Sequence, residues 1–192
     1  MKRTLILIIA ILLITCGVVG TTVAWISDTT DPVKNTFTYG NIEIKLEETD
    51  DGDGDLLENH YDIVPSTPIT KDPAVTVLPG SENAWVFVKL LKSADFDTYL
   101  QYEIDPAWTA LEGFEGVYYL EYSKSDTETK NGVLLNNQVG VKPEVTREML
   151  NSLTVSPTLK IQAYAIQRDS DIGAIATPTD AWNALVAQTS NP

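Results

Sequence analysis

Cysteine and histidine are almost missing from this chain, whose 192 residues hold one of each, Cys16 and His60. Cys16 falls inside the leader described below, so a chain freed of that leader has neither a thiolate nucleophile nor a disulfide. A lone histidine leaves no multi-histidine zinc centre. The H-E-x-x-H helix is absent too, because Tyr61, Asp62 and Ile63 follow His60. His60 is read as a surface or strand-edge residue. Positive charge is also scarce, with 13 basic residues against 27 acidic ones and a net charge of −14. Such a surface opposes the counterion-releasing contacts that nucleic acids need, so nucleic acid is not an expected partner. There is no glycine-rich phosphate loop: the glycines at 52 and 54 alternate with aspartates, which repel phosphate. With so many acids, some pair falls at glycosidase spacing by chance, and the carboxylates alone point to no hydrolytic site.

The long apolar run lies at the N-terminus. Lys2 and Arg3 precede an unbroken apolar stretch over residues 5–14, and Thr22, Val23 and Ala24 form a small-x-small cleavage site. Residues 1–24 therefore read as a signal peptide, with cleavage between Ala24 and Trp25. The chain shortens from 192 to 168 residues, and its charge moves from −14 to −16 because Lys2 and Arg3 leave with the leader. Two other readings of this segment stay open. Residues 5–23 would serve as a retained anchor, although Thr15, Gly17, Gly20, Thr21 and Thr22 interrupt their apolar character. Leu13, Ile14, Thr15 and Cys16 would make a lipoprotein box, although Thr15 is bulky for the position before the modified cysteine.

Beyond the leader, period two dominates. Ile42, Ile44 and Leu46 alternate with Asn41, Glu43, Lys45 and Glu47, and Leu159, Ile161, Ala163 and Ala165 alternate with Lys160, Gln162 and Tyr164. Residues 74–78 and 84–91 are rich in β-branched and aromatic side chains around the break at Pro79 and Gly80, and the second run reads as buried on both faces. Residues 98–104 and 117–123 read as further strands. Asn131 and Gly132 predict a hairpin turn before residues 133–136. Helical signals are few: residues 144–153 suit two turns, and Thr177 and Pro178 open a second helix with Trp182, Leu185 and Val186 on one face. Six or seven short strands and one or two short helices predict an all-β fold, a β-sandwich over residues 25–192, as a single domain.

Residues 47–60 are a polar interruption. Asp51, Asp53 and Asp55 occupy the first three ligand positions of an EF-hand loop, but Leu56 stands where that loop needs Gly and Asp62 where it needs Glu. A solvated loop and a calcium site both remain open here, and no other cofactor is expected.

The segment ending in Ala24-Trp25, with Asp28, Asn35, Phe37, Gly40, Ile42, Ile44 and Leu46 downstream, resembles the TasA/camelysin family of bacterial surface and biofilm-matrix proteins. Ile26 stands where that family usually has an aromatic residue. Further similar stretches are IVPSTPITKDPAVTV at 63–77, SENAWVFVKL at 81–90 and LKIQAYAIQ at 159–167. The resemblance implies a jelly-roll-like sandwich, export with cleavage by a SipW-type signal peptidase, and secretion to the extracellular matrix or cell surface of a bacterium. It also implies self-assembly into a fibre, a homopolymer with or without an accessory matrix protein. Residues 25–38 become the candidate donor strand, with Phe37 and Ile26 anchoring in the recipient's core and Trp25 at the seam, while a segment that folds back as its own domain's edge strand or stays disordered is the open alternative. The expected function is structural rather than enzymatic. A camelysin-like surface metalloprotease stays open as the alternative.

Overall fold

Side chains that alternate between two apolar environments shape the long strands. The computed structural model describes residues 27–29, 42–49, 59–170 and 173–189. In chain order the elements are β1 (Ser27–Thr29), β2 (Ile44–Glu47), β3 (Ile69–Thr70), β4 (Ala74–Val77), β5 (Ala84–Lys92), α1 (Phe96–Tyr99), β6 (Leu100–Ile104), β7 (Thr109–Ala110) and β8 (Val117–Tyr122). They continue with β9 (Thr129–Gly132), β10 (Leu134–Val141), α2 (Arg147–Asn151), β11 (Leu159–Gln167), β12 (Asp169–Ser170), β13 (Gly173–Ala174) and α3 (Pro178–Thr189).

One layer is a five-stranded antiparallel sheet in the order β1-β11-β5-β8-β7. The other holds two three-stranded sheets, β2-β4-β9 and β3-β10-β6. These two are successive halves of one ladder. Opposite Ile69 stands Val139, and opposite Ala74 stands Gly132, so five steps along β3 and β4 face seven steps along β9 and β10. Asn136 and Asn137 absorb the two extra residues in left-handed conformation, with φ of 56° and 54°. On the other strand Pro73 has no N–H to give, and its carbonyl accepts from the Val133 N–H at 2.9 Å.

The chain passes back and forth between the layers, as in a jelly roll, and the architecture is an all-β sandwich. Val86, Val88 and Leu90 of β5 meet Ile44, Val75, Val77, Val133, Leu134 and Val139 of the facing layer in the main core. The other face of the five-stranded sheet is covered as well. Trp85, Phe87, Val117 and Ile166 pack with Ala181, Trp182 and Leu185 of α3 in a second, separate cluster. β5 is thus buried on both faces, as its composition predicts.

Several expectations need correcting. The Asn131-Gly132 pair is not a turn: both residues sit in β9, paired to β4, and the chain passes through Val133 into a different sheet. The left-handed asparagines are Asn136 and Asn137, where the ladder needs its bulge. Thr98 and Tyr99 belong to the short helix α1 rather than to a strand. Three helices are described, where one or two were expected. In α3, Trp182 and Leu185 are buried but Val186 is 43% exposed. The buried face centres on Leu185 between Ala181 and Trp182, and Val186 lies about 100° further round the helix.

Candidate functional site

The residues singled out in the sequence, Ala24, Trp25, Ile26, Phe37, Asp51, Asp53 and Asp55, lie outside the described residues, as do the rest of the leader and most of the donor segment. Within that donor segment β1 is described. It runs antiparallel along β11, with Ser27, Asp28 and Thr29 opposite Ile166, Ala165 and Tyr164. On its other side β11 pairs with β5 over all nine of its residues, from Leu159 opposite Lys92 to Gln167 opposite Ala84. Among the described residues the N-terminal segment thus adds three residues to a ladder that is nine long on its inner side. Main-chain hydrogen bonds carry such a contact, and each contributes about 0.5–1.5 kcal/mol net, so three residues make a weak strand.

The stretch of β11 that receives β1 is firmly backed. Alternation places Ala163 and Ala165 in the sandwich core, while Tyr164 and Ile166 face α3. Trp182 stands at the centre of that contact, with ring centroids 5.3 Å from Tyr164, 5.3 Å from Phe87 and 6.4 Å from Phe114. At the start of α3 the Thr177 hydroxyl accepts from the Asp180 N–H at 3.1 Å and donates to the Asp180 carboxylate at 2.7 Å, with Pro178 at the first helical position.

A second polar constellation closes the base of the acidic loop. Glu48, just past β2, accepts from the Lys71 ammonium with both carboxylate oxygens at 2.9 Å and from the Tyr61 hydroxyl at 3.0 Å. The Lys71 and Glu48 side chains are only 13% and 15% exposed, and the ammonium lies 5.3 Å from the centre of the Tyr61 ring. Asp72 accepts from the Thr49 N–H at 3.0 Å and from its hydroxyl at 2.6 Å, while the Asn59 amide donates to the Thr49 carbonyl at 3.1 Å. Residues 48–49 and 59–61, which flank the loop, are thereby tied to Lys71 and Asp72 at the bulge of the facing layer. Burial opposes the Asp72 carboxylate, but the two hydrogen bonds from Thr49, the Asp72 backbone N–H and the charge of Lys130 together outweigh it and hold its pKa below the ordinary value. Burial, then the charge and hydrogen bond of Glu48, push the Tyr61 hydroxyl well above its ordinary range.

Among the described residues no three His, Cys, Asp or Glu side chains come together as a metal-binding group. His60 is exposed, in keeping with the surface position expected for it. The Glu48, Tyr61 and Lys71 cluster and the backing of β11 by α3 were not legible as sites. Lys71 and Asp72 directly precede Pro73, and that charged pair beside a strand-breaking proline was the one available signal. No protein-family model, no curated protein and no solved structure matches the chain. Among the described residues no helix is long and apolar enough to cross a membrane.

Proposed function

We propose that this chain is a secreted structural subunit of extracellular matrix fibres, which assembles after leader removal by lending its N-terminal strand to the next copy. The observation that carries the reading is the three-residue pairing of β1 with Tyr164–Ile166, at the outer edge of a sheet whose inner ladders, β11 with β5 and β5 with β8, run to nine and six residues. In a lone chain β1 caps its own β11. In a fibre the same register is satisfied by β1 of a neighbour, a strand exchange that conserves every main-chain bond and grows in one direction. Cleavage after Ala24 frees the segment to reach a second copy, and the mature charge of −16 keeps unassembled subunits apart in solution.

The partners are therefore a SipW-type signal peptidase and further copies of the chain, with an accessory matrix protein as a helper. The test is electron microscopy of the purified chain from residue 25 to residue 192, beside a chain lacking residues 25–34. The first should form filaments and the second should remain a folded monomer. Identical filaments from both would rule out donation by this segment.

A further inference from the structure

We propose that the C-terminal helix α3 is the backing of a strand-binding site on β11, and that this site takes an extended main-chain segment, β1 of a second copy, only while Trp182 is seated. This rests on the strand-exchange reading above and adds the element that controls it.

The register carries the argument. β1 meets β11 at Tyr164, Ala165 and Ile166, and two of those three residues hold α3 on the opposite side of the sheet from the main core. Tyr164 meets the Trp182 ring edge-on, with the planes 86° apart, and Ile166 is fully buried in the same cluster. The segment leading to α3 is fastened as well. After β11 the chain turns through β12 and β13, with the Asn83 amide donating to Asp169 at 3.0 Å and the Ile175 N–H donating to the Arg168 carbonyl at 2.8 Å. The Trp85 indole N–H then donates to the Ile175 carbonyl at 2.9 Å, in a buried position. The chain thus crosses back over the strand it has just completed and clamps the face behind the edge that accepts β1.

Two physical features make this a control point rather than ordinary packing. First, the α3 cluster is separate from the main core, so loosening α3 leaves the inter-layer contacts in place. Second, α3 has only 12 residues, and a helix of that length is marginal in water without a packed face. Its order therefore depends on Trp182 and Leu185. Strand addition gains most from an edge already held in its bound shape, and a β11 backed by a seated helix is such an edge.

The test uses the chain from residue 25 to residue 192 with Trp182→Ala and the conservative Trp182→Phe, read by hydrogen exchange and by filament formation. With Trp182→Ala, amides of Tyr164–Ile166 should exchange at least about tenfold faster while β4 and β10 keep their protection, and filament yield should fall. Trp182→Phe should restore both. Unchanged exchange at Tyr164–Ile166 in Trp182→Ala would overturn the proposal, as would loss of protection throughout β4 and β10, which would make the two clusters one unit. Filament growth at the unmodified rate despite faster exchange would also overturn it. If the unmodified chain forms no filaments, the assembly reading fails by itself. The same Trp182 comparison is then run with a synthetic peptide of residues 25–34 as the probe, where equal binding by the Trp182→Ala and unmodified chains would overturn the proposal.

Discussion

Asp28 stands directly opposite Ala165, at the middle of the three-residue register that joins β1 to β11. Of any two successive residues in an antiparallel strand, one turns its N–H toward the partner. Either Ser27→Pro or Asp28→Pro therefore deletes a bond to β11. The folded chain should lose less than about 1 kcal/mol, or roughly 2–4 °C in Tm by circular dichroism, since β1 is short and terminal. Assembly should suffer far more, and one of the two variants should form no filaments under the electron microscope.

Asp72 sets an acid limit. Its carboxyl is held below the ordinary value when folded, so it contributes stability that is fully present above the unfolded value and lost as pH falls through the lowered folded value. Thermal unfolding measured from pH 6 downward should therefore show a decline in Tm that begins below about pH 4. Asp72→Asn should weaken that decline, and an unchanged pH profile would show that Thr49 does not hold the carboxylate.

Lys71 and Glu48 are largely shielded, so removing one leaves the other without its counter-charge. Lys71→Met should destabilise the chain by about 1–3 kcal/mol in urea unfolding, more than loss of an exposed pair would. The exposed pair Lys124 and Glu82, joined at 2.6 Å, is the control, and Lys124→Met should cost clearly less than Lys71→Met.

Gly116 and Gly113 both have positive φ, at +72° and +82°, yet they should respond differently to alanine. A Cβ on Gly116 would lie 2.6 Å from the Leu90 carbonyl oxygen, whereas one on Gly113 meets nothing within 4 Å. Gly113→Ala should cost about 1 kcal/mol for the left-handed backbone alone, and Gly116→Ala about 2–4 kcal/mol. Equal losses in urea melts would contradict the close approach.

The strands legible in the sequence are those that alternate and those that are continuous β-branched or aromatic runs, as β4 and β5 are. Ile44 and Leu46, and the run from Leu159 to Ala165, announce themselves by alternation because Lys45, Glu47, Lys160 and Gln162 take the alternate positions. β3, β7, β12 and β13 are two residues long, too short for any period to show. Asn131-Gly132 misled because turn preference is local, whereas pairing with Val75 and Ala74 is set by the facing strand. For the candidate site, a donor role for residues 25–38 is an expectation from their place behind the apolar run and stays a proposal, and the strand that β1 pairs with was not legible. Nothing in the sequence around Tyr164 says which strand lies at a sheet edge, because that depends on pairings between residues far apart in the chain.

Subunit exchange can be read directly by disulfide trapping, because a chain cleaved after Ala24 has no cysteine of its own. Directly opposed residues of an antiparallel pair have Cβ atoms about 4.5–5.5 Å apart, near enough for a bridge after small adjustment. Chains carrying Asp28→Cys are mixed with chains carrying Ala165→Cys, allowed to assemble, oxidised and run on a denaturing gel. Covalent dimers should form in the mixture and none from either variant alone. Absence of dimers in the mixture, while a single chain with both substitutions closes its own bridge and still forms filaments, would show that β1 stays on its own β11 and that strand exchange does not build the fibre.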